Sequence, residues 1–217
     1  MAVRMREELT STFMGLPVNI RRHCMRVGIY AHTLAGQVLQ ELAKEYPHMP
    51  PDEILSAVRD GGQYHDLGKL LVAPYILRKA NGELGESERE LLRHHTQHTA
   101  ELLDKCVKIT KENAAHWALV RQIGINHHER WDGKGHPAGL IGMEIPLVAQ
   151  LVLMADSFDN LTSFRTAHVR VGFSEAMELL LEDGGAAYGA KAVACLKASK
   201  EEMKQMFKYG NQTRSRY

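Results

Sequence analysis

Cysteine is scarce in this chain, and the three that occur are far apart. Cys24, Cys106 and Cys195 form no Cys-x-x-Cys pair and are odd in number. The sequence therefore predicts neither a disulfide framework nor a cysteine-based zinc site. Because unpaired cysteines are typical of a reducing compartment, we expect the protein to be cytoplasmic.

An excess of charge of one sign is also missing, as are long apolar runs. Lys plus Arg total 27 and Asp plus Glu total 26, a balance that argues against binding to a DNA or RNA polymer. The longest apolar run, residues 145–155, is interrupted by Pro146 and Gln150 and is too short to cross a bilayer. The first 15 residues lack the apolar segment of a secretory signal. We therefore expect no membrane segment and no membrane partner.

The sequence contains no sustained alternation of the kind that strands show. Apolar residues instead recur at helical spacing, as in a stripe after Pro17 that also includes His23. Ser87 and Glu90 have the spacing of a capping box and predict the start of a helix. Predicted helices cover about residues 20–42, 51 towards 65, 87–103, 111–128, 146–162, 174–183 and 189–209.

This helical pattern predicts one all-α domain over residues 1–217. Its core is expected at about residues 19–183, followed by a C-terminal helix at about residues 189–209. Gly61 and Gly62 are expected to loosen the helix in which they lie.

Histidine, by contrast, is abundant, with 12 residues that mostly occur in short groups. Several of these residues, and some aspartates, lie in or beside apolar stretches, where an unpaired imidazole or carboxylate would cost several kcal/mol. They either pair with one another in polar networks or share metal ions. The candidates come from five helical segments: His23; His65 and Asp66; one or more of His94, His95 and His98; His127 and His128; and Asp156. Four isolated histidines are predicted to bind no metal: His32, His48, His116 and His168.

A mixed set of imidazoles and carboxylates suits iron, manganese, nickel or zinc better than magnesium or calcium. The carboxylate of an adjacent His-Asp pair can bridge two cations about 3.5–4 Å apart, which would hold a hydroxide nucleophile and a phosphoryl oxygen together. Lys69 follows closely in the sequence and could stabilise phosphate charge. The residues alone therefore predict a binuclear metallohydrolase that acts on a phosphate ester.

Three ordered motifs resemble the HD-GYP branch of the HD-domain phosphohydrolases. They are HDLGK at residues 65–69, HHERWDGKGHP at residues 127–137 and ADSFDNLTS at residues 155–163. The segment between the first two motifs, residues 70–103, also matches that branch in order and spacing. A lone His-Asp pair would be a weak signal, but the ordered set is a specific one. The resemblance covers about residues 23–177.

The resemblance implies an all-α HD-domain helical bundle with a glycine-rich loop beside a metal site. It also implies hydrolysis of cyclic di-GMP to pGpG, or in some members of cyclic GMP-AMP, with bound iron or manganese; zinc and nickel are the alternatives. Carried over by position, the implied metal ligands are His23, His65, Asp66, His95, His127, His128 and Asp156. The resemblance thus selects His95 over its neighbours. It makes Asp66 and Lys69 the catalytic residues, with Lys69 in contact with the phosphate.

Three positions depart from the pattern of that branch. His136 stands where the signature has a tyrosine. Asn19 stands where members with three metals have a glutamate, so we expect two metal ions and a reaction that stops at pGpG. Arg165 retains the first arginine of a phosphate-binding segment, whereas His168 replaces the second. Together with Lys69, both Arg165 and His136 are candidate substrate contacts.

The stretch after His128 is predicted to be a loop that forms part of the pocket wall. Gly133, Gly135 and Gly139 allow it to fold tightly against the site because they lack a Cβ. Trp131 is expected in the core, with pocket lining or stacking on a base as the alternatives.

Two other functions remain open at this stage. A general HD phosphohydrolase acting on nucleotides or other phosphoesters would share the metal site and differ in the pocket wall. A non-catalytic signalling module would bind a nucleotide or a partner protein through the glycine-rich loop. The replaced tyrosine and arginine favour the module, whereas the full set of seven ligands favours an enzyme. A regulatory protein supplied in trans is a candidate partner, and the sequence leaves the oligomeric state open.

Overall fold

The computed structural model describes residues 2–163 and 170–212. These residues form twelve α-helices and no β-strand, which confirms the predicted all-α class. The helices are α1 Ala2–Met14, α2 Val18–Gly36, α3 Leu39–Glu45, α4 Pro51–Tyr64, α5 Pro74–Arg78, α6 Glu86–Arg93, α7 His95–Cys106, α8 Ala114–Asn126, α9 Leu147–Thr162, α10 Phe173–Glu182, α11 Ala190–Ala198 and α12 Lys200–Gln212. Short 3-10 turns lie at Leu67–Leu71, Asn81–Glu83 and Gly142–Glu144.

Helix α9 lies at the centre of the bundle, packed by α2, α4, α8, α10 and α11. It buries 12 of its 16 residues, so almost every face of this helix contacts another helix. This explains the nearly continuous apolar run at residues 145–155, since a helix that is hydrophobic all round is a buried one. The burial also places Asp156 inside the bundle rather than on its surface.

Helices α2 and α4 approach so closely that their backbones are in contact. A Cβ added at Gly62 would lie 2.8 Å from the Cα of Gly28, a distance that real side chains do not reach. The prediction that Gly62 loosens its helix is therefore wrong, because Gly62 lies within the continuous helix α4 and allows this close packing. The contact brings the histidine-bearing ends of α2 and α4 together.

Three predicted helices are each divided in the structure. The helix expected at residues 20–42 is divided into α2, which ends at Gly36, and α3, which begins at Leu39. The helix expected from Ser87 ends at Arg93, and α7 begins at His95. The start of α6 is capped by Glu88, whose carboxylate accepts the backbone N–H of Gly85 at 3.0 Å. The predicted capping box of Ser87 and Glu90 is therefore wrong, because the capping pair lies two residues earlier in the sequence. The helix expected at residues 189–209 is divided at Ser199 into α11 and α12.

The structure also contains two helices that the apolar pattern did not predict, namely α1 and α5. Leu9 and Phe13 of α1 and Met203 of α12 are buried in the main hydrophobic core.

Across residues 2–163 and 170–212, no helix combines the length and the apolar character that crossing a bilayer would require.

Candidate metal centre

Histidine and aspartate side chains from five helical segments meet at one buried point of the bundle. Two groups of these side chains have ligand atoms that all lie within 4.8 Å of one another, and Asp66 belongs to both groups. The first group is Asp66, His95, His127 and His128, and the second is His23, His65 and Asp66. Asp156 completes the set, since its Oδ1 lies 2.9 Å from His23 Nε2 and 3.8 Å from His65 Nε2. The structure thus brings together all seven residues that were predicted as ligands.

The turn after α4 positions the adjacent His-Asp pair against α7. Gly68 lies against the backbone carbonyl of His95, so that no larger residue fits there. Its N–H donates to Thr99 Oγ1 at 2.8 Å, and that hydroxyl donates to the carbonyl of His65 at 2.9 Å. Thr99 therefore holds the turn to α7, which explains why His95 lies beside Asp66, at 3.3 Å between Nε2 and Oδ1.

Three of the imidazoles are oriented in the same way. Each donates its Nδ1–H to the carbonyl three residues earlier: His65 to Gly62 at 2.7 Å, His95 to Leu92 at 2.7 Å and His127 to Gly124 at 2.9 Å. Such a bond selects one tautomer and leaves Nε2 with a free lone pair. These Nε2 atoms face the centre, as the 3.4 Å distance between His95 and His127 shows.

His23 is oriented by a carboxylate instead of a carbonyl. Its Nδ1 lies 2.7 Å from Asp159 Oδ2, and Arg26 holds that carboxylate through two bonds of 2.5 and 2.8 Å. Arg26 and Asp159 are functional residues that the sequence reasoning missed. A helical signal for them exists, because Arg26 follows His23, and Asp159 follows Asp156, by three residues on the same helix face.

Burial keeps most of the imidazoles neutral. It lowers the pKa of His65, lowers the pKa of His95 to about 4, and lowers the pKa values of His127 and His128 well below the usual range. His23 differs: burial alone would lower its pKa, but Asp156 and Asp159 outweigh that effect and raise it. A cation bound at His23 would therefore displace a proton.

The two carboxylates at the centre are ionised. Burial alone would raise the pKa of Asp66, but Lys69 and His65 outweigh it and hold this pKa well below its usual range. Burial likewise opposes ionisation of Asp156, yet the bond with His23 keeps its pKa low. Neutral imidazoles beside ionised carboxylates are the protonation state that binds a divalent cation.

The centre contains buried polar atoms without a hydrogen-bond partner among the described residues, and one of them is a carboxylate oxygen. Asp66 Oδ1 is buried and accepts no hydrogen bond from the described residues. An unsatisfied buried carboxylate oxygen is costly, and a cation held between it and the surrounding Nε2 atoms would remove that cost. The donor set therefore fits a divalent metal.

A cavity of about 350 Å³ opens beside this centre. Three of the converging residues line it, namely His95, His128 and Asp156. The cations on its wall are Lys69, Arg89 and Arg93, and Lys69 Nζ also lies 2.5 Å from Asp66 Oδ2. A cavity of this size is at the lower end of the range for small-molecule sites.

His136, a candidate substrate contact, lines the cavity. Its ring centroid lies 4.8 Å from that of His128, and its buried Nδ1 has no hydrogen-bond partner within the described residues. Burial, with a smaller effect of Arg93, lowers the pKa of His136 to about 4. Asn160, which the sequence reasoning missed, also lines the cavity and donates to Asp156 Oδ1 at 3.1 Å. The predicted contact Arg165, like His168, lies outside the described residues.

The glycine-rich loop is held to the site by Glu129, another residue that the sequence reasoning missed. This side chain is fully buried, and its two oxygens accept the backbone N–H groups of Ala138 at 2.7 Å and Leu140 at 3.0 Å. Trp131 is half-buried rather than enclosed in the core, and it lies against Gly189 on a cavity separate from the metal centre. The acid that follows the histidine pair, Glu129, therefore has a structural role, because it binds the backbone of the glycine-rich loop.

The remaining described histidines lie away from the converging atoms. His32 and His48 are exposed, and His116 is bonded to Asp60 at 3.0 Å. Of the two alternatives to His95, His94 has a 44 % exposed side chain at the break between α6 and α7. Neither His94 nor His98 belongs to the two groups of candidate ligands.

Comparison with known proteins identifies the family of this domain. The model of the HD domain family matches residues 33–192. A cyclic di-GMP phosphodiesterase of Thermotoga maritima is 32 % identical over 181 residues, which cover 83 % of this chain and 45 % of that protein. A 3'3'-cGAMP-specific phosphodiesterase of Vibrio cholerae is 32 % identical over 145 residues, 67 % of this chain and 31 % of that protein. The chain therefore spans less than half the length of these relatives.

Solved structures with the same fold include two bacterial HD proteins. Bd1817, an HDG"Y"P protein of Bdellovibrio bacteriovorus, has a TM-score of 0.59 at 20 % identity and covers 85 % of this chain and 52 % of its own. The HD domain of the Listeria monocytogenes phosphodiesterase PgpH, in complex with cyclic-di-AMP, has a TM-score of 0.57 at 14 % identity and covers 93 % and 96 %. At these identities the likeness concerns the fold.

Proposed function

This chain belongs to the HD domain family, and on that premise we propose that it is a metal-dependent phosphohydrolase that cleaves a cyclic dinucleotide. Cyclic di-GMP is the first candidate substrate and pGpG the product. The observation that carries the proposal is Asp66, whose carboxylate belongs to two separate groups of candidate ligands. The names of the relatives support the substrate class, since they include enzymes for both cyclic di-GMP and 3'3'-cGAMP.

The proposed site holds two divalent ions, iron or manganese. Asp66 belongs to both groups of candidate ligands and would be shared by the two ions; His95, His127 and His128 would hold one ion, and His23, His65 and Asp156 the other. Asn19 supports two ions rather than three, because it stands where members with three metals have a glutamate and because it is exposed. When bound, such a pair of ions supplies a nucleophile at neutral pH and neutralises charge on the phosphate.

The residues of the chain determine where the phosphate is held. Lys69 is placed at the boundary between the centre and the cavity, with Asp66 on one side of its ammonium and open space on the other. In this position Lys69 stabilises the charge that develops on the phosphoryl oxygens. His136 is neutral because of its lowered pKa, so it contacts substrate as a hydrogen-bonding group and not as a cation. Arg165 stays a proposed phosphate contact.

The proposal is tested by anaerobic incubation of protein loaded with Fe(II) or Mn(II) with cyclic di-GMP, followed by chromatography of the products. We expect pGpG to accumulate, about two ions per chain, and no turnover by the Asp66→Ala variant. Loaded protein that cleaves mononucleotides or simple phosphoesters, but no cyclic dinucleotide, would support the general phosphohydrolase instead. Loaded protein that binds a nucleotide and cleaves nothing would support the non-catalytic module.

A further inference from the structure

Helix α6 contributes two arginines to the wall of the cavity beside the candidate metal centre. Arg89 and Arg93 both line this cavity, together with His136, Asp156 and Lys69. They are four residues apart, which corresponds to about 6 Å along a helix axis. Helix α6 therefore presents a pair of guanidinium groups, one helical turn apart, at the side of the cavity.

Neither arginine is tied to the protein interior. Arg89 pairs with Glu86 at 3.1 Å, and Arg93 pairs with Glu90 at 3.2 Å and with Glu86 at 3.6 Å, all on the same helix. The arginine side chains are 44 % and 46 % exposed, and exposed pairs of this kind are weak. A phosphate can therefore replace the carboxylates, and the planar guanidinium suits two-point binding of its oxygens.

The charge of the proposed substrate calls for such a pair. A cyclic dinucleotide carries two phosphodiester groups, of which one is cleaved at the metal centre while the other retains its negative charge. Lys69 is already in contact with Asp66 at that centre. Among the described residues that line the cavity, the other cations are Arg89 and Arg93, and these could bind the phosphodiester that is not cleaved.

We propose that Arg89 and Arg93 bind the phosphodiester that is not being cleaved, and that they thereby select substrates with two phosphates. This inference rests on the proposed function, because it assumes that a phosphate ester occupies the cavity. A purely structural role predicts something different. If the arginines only stabilised α6 through their glutamates, removing the glutamate would have the same effect as removing the arginine.

The test compares two substrates in the metal-loaded protein, cyclic di-GMP and the one-phosphate diester bis(p-nitrophenyl) phosphate. For the Arg89→Gln/Arg93→Gln double variant we expect the KM for cyclic di-GMP to rise by about 10-fold or more, since charge-assisted hydrogen bonds are lost. The kcat, and the hydrolysis of the one-phosphate diester, stay within about 3-fold of the parent protein, since the lost contact lies away from the reacting phosphate.

Two matched controls separate this role from helix stabilisation. The Glu86→Gln/Glu90→Gln double variant removes the carboxylates that pair with Arg89 and Arg93. It leaves both guanidinium groups in place, so its KM for cyclic di-GMP stays at the parent value or falls. Arg121→Gln removes an equally exposed arginine on α8 that pairs with Asp104, and it leaves both substrates unaffected. The inference is overturned if Glu86→Gln/Glu90→Gln raises the KM as much as Arg89→Gln/Arg93→Gln does, or if the arginine double variant loses activity on both substrates equally.

Failure of the proposed function is recognised separately. If the loaded parent protein cleaves neither substrate, binding of cyclic di-GMP is measured by calorimetry on the parent and the double variant. If the double variant binds cyclic di-GMP about 10-fold or more weakly than the parent, the result supports phosphate binding by Arg89 and Arg93 and refutes the proposed hydrolase activity. No binding, or equal binding by both proteins, overturns the arginine site as well.

Discussion

Asp66 is the residue on which the candidate centre depends, because it is the member that both groups of ligands share. Its two oxygens have different surroundings. Oδ2 lies 2.5 Å from Lys69 Nζ and 3.5 Å from His65 Nε2, whereas Oδ1 has no hydrogen-bond donor. A carboxylate in this position can serve two cations at once, and its neighbour Lys69 can serve the substrate. Metal binding and phosphate binding are therefore separable by mutation.

We expect Asp66→Ala to lower metal content and turnover together, because the residue that joins the two ligand groups is lost. Lys69→Ala should retain the metal and reduce kcat by about 100-fold, the usual effect of removing one charge-stabilising group. Metal analysis and steady-state kinetics on the same preparations check both outcomes. Lys134→Ala, an exposed lysine of the glycine-rich loop, is the matched control. Turnover that survives Asp66→Ala would contradict the assignment.

Asp159 acts on the centre through His23. Asp159→Asn weakens the hydrogen bond that orients the imidazole, and changes to such supporting partners typically cost about 10- to 100-fold in metal affinity. We expect a loss of that size in a competition titration with a metal-binding dye. Asp104→Asn changes an exposed carboxylate that also pairs with an arginine, and it should leave the affinity unchanged. An unaltered affinity in Asp159→Asn would mean that packing alone orients His23.

At the scale of elements, the positions of the ligands follow from how closely the helices pack. The contact between α2 and α4 at Gly28 and Gly62 brings the His23 region of α2 to the end of α4. The break between α6 and α7 lets α7 begin at His95, and Gly68 allows the preceding turn to reach the α7 backbone. Small residues are therefore as important to this site as the ligands themselves.

Gly62→Ala should reduce the free energy of unfolding by about 1–3 kcal/mol, the usual cost of overpacking. The added methyl group would meet the Gly28 backbone, which has no flexible end that can move aside. Urea unfolding measures the loss, and metal content should fall with it as α2 and α4 separate. Gly36→Ala is the control, since no atom lies within 4 Å of a Cβ there. Equal stability of the two variants would refute the packing argument.

At the scale of the whole molecule, the centre connects segments that are distant in sequence. His23 and Asp159 are 136 positions apart and are joined by a bond of 2.7 Å. A divalent cation held by the candidate ligands would link the segments that carry them, namely α2, the turn after α4, α7, the end of α8, and α9. Because the unfolded chain has no such site, metal binding contributes directly to the stability of the folded state.

Removal of metal should therefore lower Tm. At a free metal concentration about 1,000 times Kd, binding adds about 4 kcal/mol, which for a chain of this size corresponds to roughly 8–16 °C. Thermal unfolding of chelator-treated and reloaded protein, followed by circular dichroism, measures the difference. The Asp66→Ala variant should show little or no shift on reloading. A shift of equal size in that variant would indicate metal binding elsewhere on the chain.

Much of this architecture could be predicted from the sequence. The helical period of the apolar residues identified the all-α class, and the ordered HDLGK, HHERWDG and ADSFDN motifs identified the family and the candidate ligands. Such motifs are readable because the donor chemistry belongs to the residue type and because most ligands lie at helix ends or beside one another. The single domain over residues 1–217 and the contact by Arg165 stay predictions.

The tertiary structure decided what depends on distant segments. The apolar pattern by itself could not separate His95 from His94, because that choice depends on how α7 packs against the turn after α4. The same holds for Asp159, which reaches His23 from 136 positions away. In each case the functional contact joins residues through space, at distances that no local pattern of polar and apolar residues encodes.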